Sequence, residues 1–285
     1  MHLPGAEPDI ALAATVTGPP LSEGRLPTAV VAHGAGSDAG FVIRAFGRPL
    51  VEAGWRLVAF DLRGHRGSTP VVQSRRLRPA DHAADLQAVA ERVSASLIGG
   101  VSMGAHAAVL AATGLAEAGR APGGLLLAMP AWTGAPDAIA RANLLQADEI
   151  ERIGIEAALR SITRAFPGWV ADELAGSWPR HDAAAFTAVL RALGDSAAPT
   201  LAQLAATSVP AGVVALAGDP MHPAAVAGRW AAALPVAGLW TVTQPEVAAD
   251  RAVLGRAALA ALAVAATDAG LPGLGDRRTR TQRFR

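Results

Sequence analysis

The residues with the clearest chemical promise are Gly100-Val101-Ser102-Met103-Gly104, a serine with glycines two positions to either side. The surrounding stretch "SLIGGVSMGAHAAVLAATG" (96–114) reads as an apolar strand running straight into an alanine-rich helix. In that setting the turn is so tight that the serine takes a strained backbone conformation, and the two glycines prevent clashes with the neighbouring strand and helix. The hydroxyl then projects from the end of the strand beside a helix amino terminus, where the Met103 N–H can stabilise an oxyanion. In a chain with 30 glycines the five-residue pattern alone is weak, so its surroundings decide its meaning.

Composition narrows the other reactive groups. There is no cysteine and no tyrosine, and all 25 basic residues are arginine. Disulfides, thiolate sites, lysine Schiff bases and tyrosine acid–base chemistry are therefore excluded, leaving serine, histidine and carboxylates.

The elements that must position these groups alternate between short β-branched runs and longer helical patterns, which predicts an α/β fold with a mostly parallel central sheet flanked by helices. Strands are expected at "TAVVAHG" (28–34), "RLVAFDLRG" (56–64), "SLIGGV" (96–101), "GGLLLAMP" (123–130), "GVVALAGD" (212–219) and "GLWTVTQ" (238–244). Helices are expected over 41–54, 79–93, 103–119 and 222–234, with a last one from Pro245 to about Thr267. Between Ala131 and Val209 the sequence is helical and amphipathic, without a good strand, and holds Trp132, Trp169 and Trp178. That length exceeds ordinary loops and predicts an inserted helical unit. The expected organisation is a core in two parts, 1–130 and 210–270, a helical cap at 131–209, and a basic tail at 271–285.

Three further tracts support a catalytic reading of Ser102. "AHGAGSD" (32–38) follows the first expected strand, where a second oxyanion donor would be the N–H of Ala35; "DLRGHRGST" (61–69) follows the next; "AGDPMHP" (217–223) places Asp219 after the strand that follows the insertion. With these tracts in this order, the sequence over about 25–265 resembles the α/β-hydrolase family, with Arg66 displacing the second glycine of the family's "DxRGxGxS"-like tract. The resemblance implies that Ser102 is a nucleophile, that Asp219 is the acid and that 131–209 caps the pocket. It implies no metal or organic cofactor. Asp137 is a weaker candidate acid and suits a helix cap, as Asp219 itself could.

The proton acceptor departs from the family pattern. Its histidine normally follows the last core strand, and here that place reads "TVTQPEVAAD" (241–250), with Gln244 and Glu246. The final histidine is His222. It could serve as base, separated from Asp219 by two residues with the imidazole hydrogen-bonded to that carboxylate, or it could occupy the N-cap before Pro223. His33 is a second candidate base that equally suits bracing the oxyanion loop. A non-hydrolytic lyase or cyclase using Glu246 as a carboxylate base, and a ligand-binding pseudoenzyme, are the rival classes. His106 is expected to point away from Ser102 and to pack, satisfied, within its helix, while His2, His65, His82 and His181 are expected in loops or exposed helix starts.

The expected function is hydrolysis of an ester, thioester or related acyl substrate with a hydrophobic group through a Ser102 acyl-enzyme. The expected partner is a small molecule with an apolar or aromatic acyl group. Neither nucleic acid nor membrane is expected: the last ten residues carry five arginines and one aspartate, leaving the rest of the chain at −3 against a formal total of +1. No apolar run reaches the roughly 18 residues of a membrane span, and the amino terminus lacks a signal-peptide pattern, so a cytoplasmic protein is expected.

Overall fold

A computed structural model describes residues 1–23, 26–166 and 168–271. Beyond Leu271, the expectation of a basic tail lies outside the described residues. The strands are β1 (His2–Pro4), β2 (Ala11–Thr17), β3 (Thr28–Ala32), β4 (Arg56–Phe60), β5 (Leu97–Val101), β6 (Gly124–Ala128), β7 (Ala211–Ala217) and β8 (Ala237–Thr243). They form one sheet in the order β1-β2-β4-β3-β5-β6-β7-β8. The pairs from β4 through β8 are parallel and the two involving β2 are antiparallel. This is the predicted α/β architecture, extended by two strands before Thr28. Those two carry a weak signal: β1 has three residues, and β2, at the antiparallel side, buries only Leu12 and Ala14.

The central strands β3, β4, β5 and β6 are buried along their whole length, which explains their unbroken apolar sequences. Alternate residues feed two cores. Val30, Val58, Ile98 and Leu125 join one cluster with α3 (Pro79–Arg92) and α4 (Met103–Glu117). Val31, Leu57, Leu97 and Leu126 join the opposite cluster with the helical segment after β3. That segment is α1 (Ala39–Val42), a π-helical turn (Ile43–Gly47) and α2 (Arg48–Glu52), so the helix expected from residue 41 starts two residues earlier and is interrupted in its middle.

Between β6 and β7 lie α5 (Ala138–Ile153), α6 (Ile155–Ala165), α7 (Trp169–Ser177), α8 (Ala183–Gly194) and α9 (Leu201–Ala205). Asp137 caps α5 by accepting from Ile139 N and Ala140 N at 2.8 and 3.1 Å, which accounts for it as a cap and not as a catalytic acid. Buried Trp178, Phe186 and Leu190 give these helices a small core of their own with Ala147, Ile150 and Ala158. After β7 come α10 (Ala224–Ala233), α11 (Gln244–Ala249) and α12 (Val253–Asp268). The single last helix of the sequence reading is therefore two, broken where the Asp250 side chain accepts from Ala252 N at 3.0 Å. Among the described residues no helix is long and apolar enough to cross a membrane.

Candidate active site

Three loops converge at the carboxyl ends of the parallel strands. Ser102 lies directly between β5 and α4 with φ 52° and ψ −117°, a left-handed conformation that side-chain-bearing residues rarely adopt. The turn is close because both flanking glycines are in backbone contact. A Cβ on Gly100 would collide with the backbone of Gly104, and one on Gly104 with Ala32 O. The loop after β3 passes just above, since a Cβ on Gly34 would come 3.1 Å from the Ser102 Cβ.

The loop after β7 brings the acid and the imidazole. Asp219 Oδ1 accepts from the backbone N–H of Met221 at 2.8 Å and of His222 at 3.3 Å, which turns the chain back sharply. Its other oxygen, Oδ2, meets His222 Nδ1 at 2.9 Å. His222 Nε2 then lies 2.9 Å from Ser102 Oγ. Pro223, not His222, occupies the N-cap of α10, which frees the imidazole from the capping alternative. Burial pushes the Asp219 carboxyl up, but the His222 hydrogen bond and charge, with the two backbone N–H groups, outweigh it and hold the group below the usual carboxylate range. The arrangement can move a proton from a serine hydroxyl to an imidazole and stabilise the cation so formed.

Ala35 and Met103 line the same cavity as Ser102 and His222. Met103 is the first residue of α4, so its N–H has no acceptor within the helix, and the Ala35 N–H has none in the loop.

The His33 ring makes no hydrogen bond to Ser102 among the described residues and is committed elsewhere. Its Nδ1 donates to Gly34 O at 2.7 Å and its Nε2 accepts from Leu62 N at 2.9 Å, so it braces the loop after β3 in a neutral state, its basicity lowered by burial. Glu246 does not line the cavity: exposed at the start of α11, it caps that helix by accepting from Thr243 N and Thr243 Oγ1, both at 2.7 Å. The expectation of a carboxylate base at that position is thereby corrected. Gln244, at the place where the family's histidine is expected, accepts from Trp169 Nε1 at 2.6 Å and ties α7 to the end of β8.

The remaining histidines differ from expectation in their burial. His65, His82 and His181 are buried, and His33, His65 and His181 form an edge-to-face row beneath the inserted helices. His106 does pack, against Trp132 and Trp230, and its Nε2 accepts from Ala131 N at 3.3 Å, but its Nδ1 has no partner. Arg66 has φ 35°, so it stands in the left-handed region where a glycine would be at ease, and its guanidinium pairs with Asp38 at 2.6 Å.

The cavity above Ser102 has a volume of about 460 Å³. Its walls are largely apolar and include Met129, Ile162, Leu190 and the three tryptophans at 132, 169 and 178. Met129, at the end of β6 with φ 53°, and Glu149, on α5, face this space and were not singled out from the sequence. Nothing in the local pattern marks Met129. Glu149 follows the helical spacing of α5, but only the fold reveals which stripe faces inward. Among the described residues no group of three or more histidine, aspartate or glutamate side chains is arranged to hold a metal ion.

The model of the alpha/beta hydrolase family matches residues 29–252. No curated protein matches the chain in sequence. Among solved structures, the chain is similar to a thermophilic esterase from Thermogutta terrifontis, at TM-score 0.67 and 17% identity over 85% of this chain and 89% of the esterase. It is similar to the enol-lactonase from Burkholderia xenovorans LB400, at TM-score 0.66 and 18% identity over 92% and 96%. A structure from work on carboxylesterases of the thaumarchaeon Nitrososphaera gargenis matches at TM-score 0.69 and 14% identity over 86% and 90%. At these identities the likeness of structures establishes the fold alone. With the family model covering most of its length, the chain belongs to the alpha/beta hydrolase family.

Proposed function

We propose that the protein is a serine hydrolase that cleaves an ester, thioester or related acyl substrate with a hydrophobic group. The observation that carries this reading is the continuous relay Asp219 Oδ2, His222, Ser102 Oγ, with both links at 2.9 Å. In the proposed mechanism Ser102 Oγ attacks the carbonyl carbon while His222 Nε2 takes its proton. The developing oxyanion is received by the Ala35 and Met103 N–H groups, and Asp219 stabilises the imidazolium. His222 then returns the proton to the leaving oxygen or sulfur, and the acyl-enzyme forms. Water, deprotonated by the same imidazole, attacks the acyl carbon and releases Ser102.

The inserted helices act as a cap, closing an apolar space over the serine that suits a hydrophobic acyl group. Esterase, carboxylesterase and lactonase neighbours on this fold support acyl chemistry. A fluorophosphonate probe tests the reading: the wild-type protein is expected to be labelled at Ser102 and the Ser102→Ala variant to escape. A wild-type protein inert to the probe and to a panel of p-nitrophenyl esters overturns it and favours a ligand-binding or non-hydrolytic site.

A further inference from the structure

The charge on the cavity wall is one-sided. Among the described residues two carboxylates, Asp219 and Glu149, line it and no arginine does, in a chain whose 25 basic residues are all arginine. Asp219 is occupied by His222 and by backbone N–H groups. The Glu149 carboxylate has no hydrogen-bond or ion-pair partner among the described residues, although its neighbours in sequence do. Asp148 and Glu151 are both neutralised by Arg191 of α8, at 2.8 and 2.6 Å.

Helix geometry separates these roles. Ile139, Ala142, Asn143, Gln146 and Glu149 recur at three- and four-residue spacing along α5 and all line the cavity, so they form one inward stripe. Asp148 and Glu151 sit on the stripe turned to α8. At about 1.5 Å of rise per residue, Glu149 lies about 15 Å along α5 from Ile139, which packs on the core. The carboxylate therefore belongs to the wall contributed by the insertion, while Ser102 belongs to the core wall. Trp132, Phe166, Trp169 and Trp178 line the same space, and the Trp169 ring already holds one cation, the Arg251 guanidinium at 5.1 Å from its centre.

Among the described residues nothing supplies this half-buried carboxylate, on a largely apolar wall, with the counter-charge that such a group favours, and ring faces attract cations as well. We propose that Glu149 is a specificity-determining residue that binds a cationic ammonium group carried by the apolar part of the substrate, and that it disfavours substrates ending in a carboxylate or phosphate. This deepens the hydrolase reading and rests on it for turnover. It names the chemistry of the substrate's non-reacting end.

The test uses p-nitrophenyl esters of one acyl length ending in trimethylammonium, in its neutral isostere tert-butyl, or in carboxylate. For the wild-type enzyme, kcat/KM is expected to rank ammonium over tert-butyl over carboxylate. In Glu149→Gln the ammonium-to-tert-butyl ratio is expected to fall about tenfold, and in Glu149→Asp to be largely kept. A ratio unchanged in Glu149→Gln, including the case where both esters slow together, overturns the proposal. Should the wild-type protein hydrolyse none of the esters, the hydrolase reading fails separately. Calorimetry with the matching trimethylammonium and tert-butyl alcohols then decides: binding of the ammonium alcohol that Glu149→Gln weakens upholds the assignment, and equal binding of the two alcohols overturns it.

Discussion

Asp219 and His222 stand three residues apart on one loop and meet side chain to side chain at 2.9 Å, so the acid and the imidazole of the candidate site are carried by the same turn. One Asp219 oxygen shapes the turn and the other orients the ring. The end of β8, where the family's histidine is expected, instead holds α7 through Gln244.

The first prediction sets His222 against Glu246. His222→Ala is expected to lower ester hydrolysis at least ~100-fold, the usual contribution of a general base. Glu246→Gln, on an exposed helix cap, is expected to change it by less than about twofold, since such surface changes leave the site untouched. Steady-state kcat/KM on a p-nitrophenyl ester measures both, and an unimpaired His222→Ala enzyme removes the imidazole from the mechanism.

Asp219→Asn keeps an oxygen to accept from the Met221 and His222 N–H groups, so the turn survives. It removes the charge that orients and stabilises the imidazolium, and kcat is expected to drop by ~100-fold or more. Retained far-ultraviolet dichroism and urea midpoint would show that the loss is chemical.

Gly104→Ala drives a methyl group into the carbonyl oxygen of Ala32, which belongs to a central strand and cannot yield. Loss of about 3 kcal/mol or more is expected, or failure to accumulate as soluble protein. Urea unfolding of the variant against wild type reads the effect, and a midpoint unmoved from wild type would contradict the close approach of α4 to β3.

Arg63 and Asp85 form an ion pair with both side chains fully buried, bonded at 2.6 and 2.7 Å. Asp85→Ala leaves the guanidinium with only Glu7 and the Arg76 carbonyl as partners and is expected to cost about 3 kcal/mol, whereas Asp85→Leu combined with Arg63→Met recovers much of that loss. Denaturant titration of the single and double variants checks the pair.

The buried imidazoles make stability depend on pH. Burial, helped by neighbouring positive groups, holds His82 and His106 down at about 3, and His181 at about 4. In the unfolded chain they titrate at about 6.5. Between those values the unfolded chain binds more protons, so the stability is full above pH ~6.5 and falls as the pH drops toward 4. Urea midpoints are expected to decline already between pH 7 and 5, above the ordinary carboxylate range. Replacement of His82 by leucine is expected to flatten that slope, and a slope unchanged by it would remove His82 as a source.

The central strands were legible because each is buried on both faces and therefore continuously apolar, and Ser102 was legible because the tight turn requires glycines on either side. β1 and β2 escaped notice because β1 spans only three residues and the two strands together bury only Leu3, Leu12 and Ala14. His65 and His82 escaped because a buried histidine has no local signature. Their seclusion comes from elements that are distant in sequence, as when His181 of the insertion closes over His65.

By itself the sequence determined the alternation of strands and helices, the serine's strained turn and the proximity of Asp219 to a histidine, because each of these is a matter of residues within a few positions of one another. Only the tertiary structure decided which imidazole reaches the hydroxyl. Ser102 and His222 are 120 residues apart, and their 2.9 Å contact exists because sheet order sets β7 two strands from β5 and the Asp219 turn bends the chain back across that gap. The same packing turned one stripe of α5 toward the cavity and left Glu149 there without a counter-charge among the described residues, a consequence of where the helix lies and not of its sequence pattern.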